Sequence, residues 1–299
     1  MDYVLEYADD WVFDSFYNKV GELAKTDPMP RDHVARQLAS LFVFVYIGIL
    51  FFYFSTAGFA YKFNYDKTQQ QHPKYLPNQI SKEIKTALGA FPTITALTIP
   101  FFLGELHGYS LLYDDVDKYG WPYLIFSAFA FIIFTDFFIY WIHRIEHHPR
   151  IYAKCHKLHH KWIVCTPFAS HAFHPIDGWA QSVPYHVAVY VLPIHKWLYL
   201  GLFSFVNIWS VMIHDGQYVS KNPVVNGSAH HTMHHLYFNY NYGQFTTMFD
   251  RMFGSHRFPT AEIYDRSRRK SKKFLEQQAK EVDDMLKQVD PEDYKEKQQ

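Results

Sequence analysis

The arrangement of hydrophobic and polar positions predicts a chain that crosses a membrane several times. Three long runs are almost free of charge: residues 37–61, 86–104 and 121–142, the last interrupted only by Asp136. A helix of about 20 apolar residues matches the hydrocarbon thickness of a bilayer. We therefore expect three spanning helices in the first half of the chain.

Two shorter uncharged segments, residues 178–195 and 197–213, follow and are separated by Lys196. Each is near the lower length limit for a full crossing. Together they predict a pair that returns the chain to the side it left, either by two full crossings or as a re-entrant hairpin. A single crossing would place the histidines before and after these segments on opposite sides of the membrane.

Composition and charge exclude several classes of protein. The mean hydropathy of -0.22 is lowered by many His and Tyr residues and by two charged ends, so the local runs are the better guide. Lys plus Arg and Asp plus Glu both total 29, so no basic field exists to attract nucleic acid. The first residues lack the basic start and apolar core of a cleavable signal peptide, so we expect insertion through internal spans. The aromatic content of 19% is typical of chains in the membrane interface.

Histidine is concentrated in one part of the chain: 15 of the 19 histidines lie between His143 and His235. They form three clusters, HRIEHH at 143–148, HKLHH at 156–160 and HTMHH at 231–235. On a helix, residues three or four apart lie on one face, so each cluster directs imidazoles to one side. Neutral imidazole is a common ligand for zinc, copper, iron and nickel, so the three clusters predict a shared metal centre.

The number of histidines predicts two metal ions, because eight or nine donors are too many for one. The candidate ligands are His143, His147, His156, His159, His160, His231, His234 and His235, with His214 as a ninth. Asp136 lies nearly two helical turns before His143 on the same face. A carboxylate in a membrane helix is costly, so we expect Asp136 either to hold a ligating imidazole by its other ring nitrogen or to make a helix–helix hydrogen bond.

Missing motifs narrow the chemistry. The sequence contains no HExxH, the motif of zinc proteases, and no paired ExxH motifs of carboxylate-bridged di-iron bundles. An all-histidine pair of redox ions remains, and its natural task beside a bilayer is to oxidise an unactivated lipid C–H bond with O₂. No GxGxxG or CxxCH motif is present, so we expect electrons to come from a partner protein.

The boxes HxxxH, HxxHH and HxxHH resemble those of the fatty acid hydroxylase and sterol desaturase superfamily of membrane di-iron oxygenases. The segments TPFASHAFHP (166–175), VMIHDGQY (211–218) and HHLYFNYNYGQFTT (234–247) narrow this resemblance. They are most similar to sterol C-5(6) desaturases of the lathosterol oxidase type, above all to the fungal enzymes of ergosterol synthesis. The resemblance covers roughly residues 85–258.

Together, the spans and the boxes predict an all-α fold of polytopic membrane helices with a cytosol-facing, histidine-rich helical cap that holds two metal ions. A polar N-terminal segment (1–36) and the first membrane spans with their loops (37–121) would precede a catalytic domain of the fatty acid hydroxylase type (122–258). A cytosolic tail (259–299) would follow.

The resemblance implies that a delta-7 sterol loses hydrogens at C-5 and C-6 to give a 5,7-diene. O₂ would be the oxidant, at a centre of two histidine-ligated iron ions, although a purified sample can carry zinc. Cytochrome b5 and its NADH-dependent reductase would supply the electrons. The resemblance also implies that the nine histidines named above are the metal ligands. It leaves His148, His171 and His174 as candidates for the pocket lining, for contacts to the ligands or for ligation. Tyr218 stands where some relatives have a tenth histidine.

Two other functions stay open. Another lipid C–H oxidase, such as a sterol 4-methyl oxidase or a sphingolipid or fatty acid hydroxylase, would share the boxes, but we expect it to lack the flanking segments. A membrane metal-binding protein would distribute its histidines and carboxylates along several spans. Lys295 and Lys297 stand fifth and third from the C-terminus and resemble a dilysine retrieval signal, which predicts an endoplasmic reticulum membrane protein with the boxes and the C-terminus in the cytosol.

Overall fold

The computed structural model describes residues 2–289, and nearly all regular structure in this part of the chain is helical. In chain order the elements are α1 (Asp2–Ala8), α2 (Asp14–Ala24), α3 (Val34–Phe63), α4 (Gln79–Leu106), β1 (Leu112–Tyr113), α5 (Gly120–Glu146), α6 (Pro149–Cys155), α7 (Lys157–His160), α8 (Pro175–Val191), β2 (Ile194–His195), α9 (Lys196–Ile213), α10 (Ser228–Tyr237), α11 (Met248–Met252), α12 (Ala261–Tyr264), α13 (Arg266–Arg269) and α14 (Lys272–Val289). The prediction of a helical membrane fold is confirmed.

Four helices within residues 2–289 are long and apolar enough to cross a membrane: α3, α4, α5 and α9. The three long uncharged runs correspond to α3, α4 and α5, and each helix extends beyond its run. α4 begins earliest relative to its run, because its first turns carry the buried polar residues Gln79 and Glu83. The Gln79 side chain donates to Glu83 and to the carbonyl of Val164, at 2.7 and 2.8 Å. These bonds join α4 to the loop after the second histidine cluster.

α8 and α9 form the return that the two shorter apolar segments predict. α8 begins beside the second cluster, where Asp177 contacts His156. It ends at the far side of the bundle, where the carbonyl of Val189 accepts a bond of 2.7 Å from the Leu111 amide. β2 follows and pairs in parallel with β1. α9 then leads back to His214, so the clusters before and after this hairpin meet.

The described part of the N-terminal segment, which the sequence predicts to be polar, forms an amphipathic helical arm. α1, a π-helical turn (Asp9–Phe13) and α2 pack against α3 and α4 through an apolar cluster. Asp9 also forms a buried ion pair of 2.7 Å with Arg36 of α3. The outer face carries exposed apolar side chains, among them Trp11 at 83% and Leu23 at 86%. Such a face suits the membrane interface.

The C-terminal helices cover the third histidine cluster from outside. α14 packs through Val282 against Met233, Leu236 and the rest of the rear face of α10. The hydroxyl of Tyr237 donates a bond of 2.6 Å to Glu281. α14 thus closes the cap that holds the histidines. The dilysine-like Lys295 and Lys297 lie outside the described residues.

Candidate metal centre

The three histidine clusters meet at one end of the bundle, and short helices aim their side chains. His143 lies in the last turn of α5 and His147 is the C-cap of that helix, four residues on. The second cluster occupies the junction of α6 and α7, and the third lies within α10. Because the clusters are on helix ends and short helices, their imidazoles can approach from several directions.

The structure brings all nine predicted ligands together, in two groups. Within each group, one side-chain donor atom per residue lies within 4.8 Å of every other. None of the nine is more than 9% exposed. The first group is His143, His147, His156, His160 and His234, and the second is His159, His214, His231 and His235.

Helical spacing decides which histidine joins which group. Pairs four residues apart, such as His156 with His160 and His231 with His235, share a group. Neighbouring residues point about 100° apart around a helix, so His159 and His160 fall into different groups. The rings of His160 and His235, one from each group, are 4.8 Å apart. The second and third clusters therefore each serve both groups, and the two sites adjoin.

The hydrogen bonds of the first group leave room for a cation. Nδ1 of His143 lies 2.9 Å from the carbonyl oxygen of Tyr242, and Nδ1 of His156 lies 2.9 Å from a carboxylate oxygen of Asp177. A neutral imidazole has one N–H, so in both rings the hydrogen belongs on Nδ1. The two Nε2 atoms then face each other with lone pairs at 3.1 Å. A metal ion turns this repulsive contact into a favourable one.

The second group shows the same pattern. Nδ1 of His214 lies 2.7 Å from the carbonyl oxygen of Ser210, so its Nε2 carries the lone pair. That atom lies 2.9 Å from Nε2 of His231, which in turn is 3.1 Å from Nε2 of His235. Two nitrogens bound to one ion at about 2.1 Å, with a bond angle of about 90–110°, are about 3.0–3.4 Å apart. The spacing in both groups fits metal ligation.

Burial keeps these imidazoles in the form that binds metals. It lowers the pKa of His156 to about 3 and that of His214 to about 4. Burial, and secondly the neighbouring imidazoles, lower the pKa of His159 and His235 well below the usual value. A neutral imidazole is the ligating form, so the site stays competent for metal at neutral pH.

Asp177, in the first turn of α8, holds a predicted ligand from outside. It is fully buried, and its Oδ2 accepts from Nδ1 of His156 while its Oδ1 accepts from the amide of Gln181 at 2.7 Å. Glu146 lies 3.8 Å from the same imidazole nitrogen. A carboxylate on the second nitrogen orients a ligating imidazole and makes it more basic.

Asp136 has a different role from the one predicted for it first. Its carboxylate accepts backbone amide bonds from Gln244 and Phe245 at 2.8 Å and from Thr246 at 3.1 Å, and also binds the Thr246 hydroxyl. Within residues 2–289, its hydrogen bonds involve no imidazole, so the expected imidazole contact is wrong. Asp136 instead holds the loop whose Tyr242 carbonyl orients His143.

Asp250 fastens the same loop from the other side. Its carboxylate accepts from the amides of Tyr242 and Gly243, at 2.8 and 2.9 Å. Asn241 adopts a left-handed backbone with φ of 58°, which Asn tolerates better than most residues. Its side-chain amide donates to the carbonyl of His230 at 3.1 Å. These bonds therefore hold the NYNYGQFTT stretch (239–247) in place beside the predicted metal ligands.

Comparisons with known proteins agree with this geometry. The fatty acid hydroxylase family profile matches residues 128–255, which hold every candidate ligand. The Delta(7)-sterol 5(6)-desaturase erg31 of Schizosaccharomyces pombe is 49% identical over 296 residues, 99% of this chain and 97% of the relative. This chain belongs to the Delta(7)-sterol 5(6)-desaturase family. The Delta(7)-sterol 5(6)-desaturases of Eremothecium gossypii and Saccharomyces cerevisiae are 54% and 51% identical, over 88% and 89% of this chain and 75% and 73% of theirs. No solved structure matches.

This desaturase-family chain is a multi-pass membrane protein with a long apolar cavity that ends at the metal centre. The cavity has a volume of about 470 Å³, within the range of small-molecule sites, about 300–1,000 Å³. His143, His159, His214 and His231 line one end, and Lys196 and Trp197 line the other. Between them the walls come mainly from α3, α4, α8 and α9. A long apolar molecule can thus bring one part to the histidines.

The remaining histidines named from the sequence lie outside both groups. His148 is exposed, and both it and His174 are N-caps whose Nδ1 accepts a backbone amide at 3.3 Å. His171 lines the cavity, with its Nδ1 2.9 Å from the Ser170 hydroxyl. Tyr218, at the position of the possible tenth ligand, accepts from Thr232 at 3.2 Å and joins neither group.

Sequence reasoning missed Asp177 and Asp250. Asp177 lies 21 residues after its partner His156, so no helical spacing connects the two. The available signal was its position in the segment HPIDG, directly after a histidine-rich loop. Asp250 lies three residues beyond the third quoted segment and bonds mainly to backbone amides, which a sequence pattern does not reveal.

Proposed function

We propose that the chain converts a delta-7 sterol to a 5,7-diene sterol with O₂, at two iron ions held by the nine buried histidines. The observation that carries this proposal is the pair of adjoining histidine groups at the end of a long apolar cavity, in a member of this family. The reaction removes one hydrogen each from C-5 and C-6 and forms a double bond between these carbons. The two hydrogens combine with one O₂, two further protons and two electrons to give two waters.

The donor set supports iron as the cofactor. All nine donors are imidazoles, which exclude calcium and magnesium and suit redox metals. A pair of bound iron ions would supply the O₂ activation that no side chain can provide. His143, His147, His156, His160 and His234 would hold one ion, and His159, His214, His231 and His235 the other. Asp177 would fix the ring of His156.

The cavity residues position the sterol. Four ligands of the two groups line its inner end, so a rigid ring system that fills it brings ring carbons to the metal centre. The remaining wall is largely apolar, among it Phe102, Tyr185 and Phe203. Such walls exclude water from the reacting carbons and bind the sterol skeleton by burial of apolar surface.

Electrons would come from cytochrome b5 and its NADH-dependent reductase. The stretch from residue 147 to residue 176 contains no Asp or Glu, and its Arg150 and Lys154 on α6 are exposed. On the inner side of α6, the ring of Tyr152 lies 5.5 Å from that of His147 and 5.9 Å from that of His160. A cationic surface this near the ligands suits an acidic electron carrier.

The protein would reside in the endoplasmic reticulum membrane with the metal centre and the C-terminus in the cytosol. In support, α14 packs on the helix that carries the third histidine cluster, so the C-terminal region and the centre are on the same side. The basic residues between Arg266 and Lys273 suit a cytosolic surface. We keep residues 122–258 as the catalytic domain, preceded by the regions 1–36 and 37–121 and followed by the tail 259–299.

The sterol profile of cells that lack 5(6)-desaturation tests the reaction. The intact chain should restore 5,7-diene sterols in gas chromatography with mass spectrometry, and His159→Ala should not. His148→Ala, which changes an exposed histidine outside both groups, should restore them as well. Persistence of delta-7 sterols with the intact, membrane-bound chain would contradict the proposal and make lipid hydroxylation the next assay.

Reconstitution tests the cofactor and the donors separately. The purified chain in liposomes, loaded with iron and supplied with NADH, reductase and cytochrome b5, should form product, and omission of cytochrome b5 should stop it. Loading with zinc should give the same protein without turnover. Turnover without iron would exclude the proposed cofactor, while turnover with the reductase alone would exclude the proposed donor.

A further inference from the structure

The position of the reaction on the sterol limits where the sterol hydroxyl can bind. This step rests on the proposed function. C-5 is two bonds from C-3, so the oxygen on C-3 lies within about 4–5 Å of C-5 and C-6. When C-5 and C-6 reach the histidines, the hydroxyl must also be near the inner end of the cavity. The alkyl side chain, on the opposite end of the rings, then points toward Lys196 and Trp197.

Three polar side chains along the α8 and α9 walls of the cavity each donate a hydrogen to their own helix. The hydroxyl of Ser182 donates to the Trp179 carbonyl at 2.7 Å, and that of Ser204 donates to Leu200 at 2.9 Å. The amide of Asn207 donates to Phe203 at 2.8 Å. Each bond stays within its own helix. These groups therefore present mainly acceptor atoms to a ligand.

His171 presents an acceptor for the same reason. The hydroxyl of Ser170 donates to the Pro167 carbonyl at 2.8 Å, so its oxygen can only accept in its 2.9 Å contact with Nδ1 of His171. The imidazole hydrogen is then on Nδ1, and Nε2 carries a lone pair. Burial lowers the pKa of His171 to about 4, so the ring stays neutral.

Asn207 faces the same ring. Its side chain is a hydrogen-bonding neighbour of His171 that raises the pKa of the imidazole, against the larger lowering by burial. The bond to Phe203 uses one hydrogen of its amide nitrogen and leaves its carbonyl oxygen free to accept. Both His171 and Asn207 line the cavity. Nε2 of His171 and Oδ1 of Asn207 therefore form a pair of acceptors to which a ligand hydroxyl can donate.

This acceptor pair lies beside the second histidine group. The Ser210 hydroxyl is 3.5 Å from the carbonyl of Ser170, the residue next to His171. The carbonyl of Ser210 accepts from Nδ1 of His214 at 2.7 Å. Asn207 and Ser210 are one turn apart on α9, which leads into His214. The pair is thus at the level where the sterol hydroxyl has to be.

We propose that the acceptor pair of His171 and Asn207 binds the free 3-hydroxyl of the sterol, which donates its hydrogen to it. A 3-ketone, a 3-ether or a steryl ester has no hydrogen to donate and leaves both acceptors unsatisfied. Leaving a buried acceptor unsatisfied costs more than the hydrogen bond itself contributes. The pair therefore selects free sterols over their oxidised or esterified forms.

The test compares two substrates in each variant. Reconstituted enzyme receives lathosterol or its 3-deoxy analogue, and kcat/KM is measured for each by product analysis. The intact chain should prefer lathosterol by about tenfold or more. His171→Leu combined with Asn207→Leu should bring this preference close to one, mainly through KM. His171→Gln, which keeps an acceptor, should keep part of the preference.

The ratio of kcat/KM for the two substrates distinguishes loss of hydroxyl recognition from general damage, because loss of folding or of iron lowers both kcat/KM values alike. His174→Leu makes the same change three residues away, outside the cavity lining, and should keep the full ratio. An unchanged ratio in the double variant, or no preference in the intact chain, overturns the inference. Failure of the iron-loaded intact chain to convert lathosterol at all would instead refute the proposed function.

Discussion

At the scale of single residues, the imidazole of His156 shows how the centre is built. Its Nε2 faces the other donors of its group, and its Nδ1 is held by Asp177. His143, His214 and His234 are held in the same way by backbone carbonyls. Four of the nine rings are thus oriented by a partner before any ion arrives, which lowers the entropy cost of binding.

Asp177→Asn tests the charge behind His156. We expect iron affinity or turnover to fall about 10–100-fold, because the amide no longer favours the Nδ1-protonated, electron-rich ring. Elemental mass spectrometry after dialysis against a chelator measures the iron that each chain retains. Asp115→Asn, an exposed helix cap far from the centre, should retain its iron. Equal iron retention by both variants would remove Asp177 from the site.

The stability of the metal-free protein should fall as the pH falls below about 6.5. In the folded state burial lowers the pKa of His156 to about 3 and that of His214 to about 4, whereas an unfolded histidine titrates near 6.5. Between these values the unfolded state binds more protons, so acid favours unfolding by up to about 1.4 kcal/mol per pH unit for each buried imidazole. Thermal unfolding from pH 8 to pH 5 measures this, and a Tm that rises toward pH 5 would contradict it.

The candidate ligands could be predicted from the sequence because their spacing is local. His156 with His160 and His231 with His235 share a face by helical geometry alone. The division of the boxes between two groups, and the partners Asp177 and Tyr242, could not be predicted. Those contacts join residues from different helices and loops, and their formation depends on tertiary packing.

At the scale of elements, the loop from Tyr242 to Thr246 connects a membrane helix to the metal centre. Asp136 holds this loop from within α5, and Asp250 holds it from α11. The indole of Trp209 on α9 adds a bond of 2.7 Å to the Gln244 carbonyl. The loop is therefore bonded to α5, α9 and α11, and its Tyr242 carbonyl can orient His143.

Asp136→Ala should loosen this loop. Three buried amides and one hydroxyl would lose their acceptor, and each such loss costs about 1–3 kcal/mol. We expect a lower Tm and a greater loss of metal than the small side-chain change suggests. Ser127→Ala removes a buried hydroxyl from the same helix that bonds only to its own Leu124 carbonyl, and should change Tm little. Equal effects of the two variants would refute the role of Asp136.

The uncharged runs predicted the long helices, while the ends of these helices and the N-terminal arm were less predictable. α4 begins at Gln79 because buried polar contacts extend it, and hydropathy does not register such contacts. In the arm, acidic residues such as Asp9 and Asp10 are interspersed with the exposed apolar side chains. One of these carboxylates pairs with Arg36 inside the protein. Composition alone cannot separate a face that meets lipid from one that meets protein.

At the scale of the whole molecule, the membrane helices and the histidine-rich cap form one site, because histidines of the cap line the inner end of the cavity between the helices. The C-terminal helices cover the centre from one side, and the cavity opens the centre toward the apolar helices. The sterol and the electrons would thus reach the metal from different sides.

Removal of α14 should weaken the cap. A chain that ends after Lys270 would expose the apolar rear of α10, including Met233 and Leu236, and would lose the bond from Tyr237 to Glu281. We expect a lower Tm and lower iron content in the purified protein. A chain that ends after Val289 keeps every one of these contacts and should match the full chain in both measurements. Full iron content without α14 would show that the helix is dispensable.

The assignment of the adjacent residues His159 and His160 to different groups, repeated at His234 and His235, has a consequence for assembly. One rigid peptide unit aims two rings at two ions, so seating the first ion also sets the direction of a ring that the second requires. We therefore expect binding of the two ions to be cooperative, with chains that hold one ion rarer than chains that hold none or both. If the proposed reaction needs both ions, such coupling would keep the fraction of half-loaded, inactive chains small.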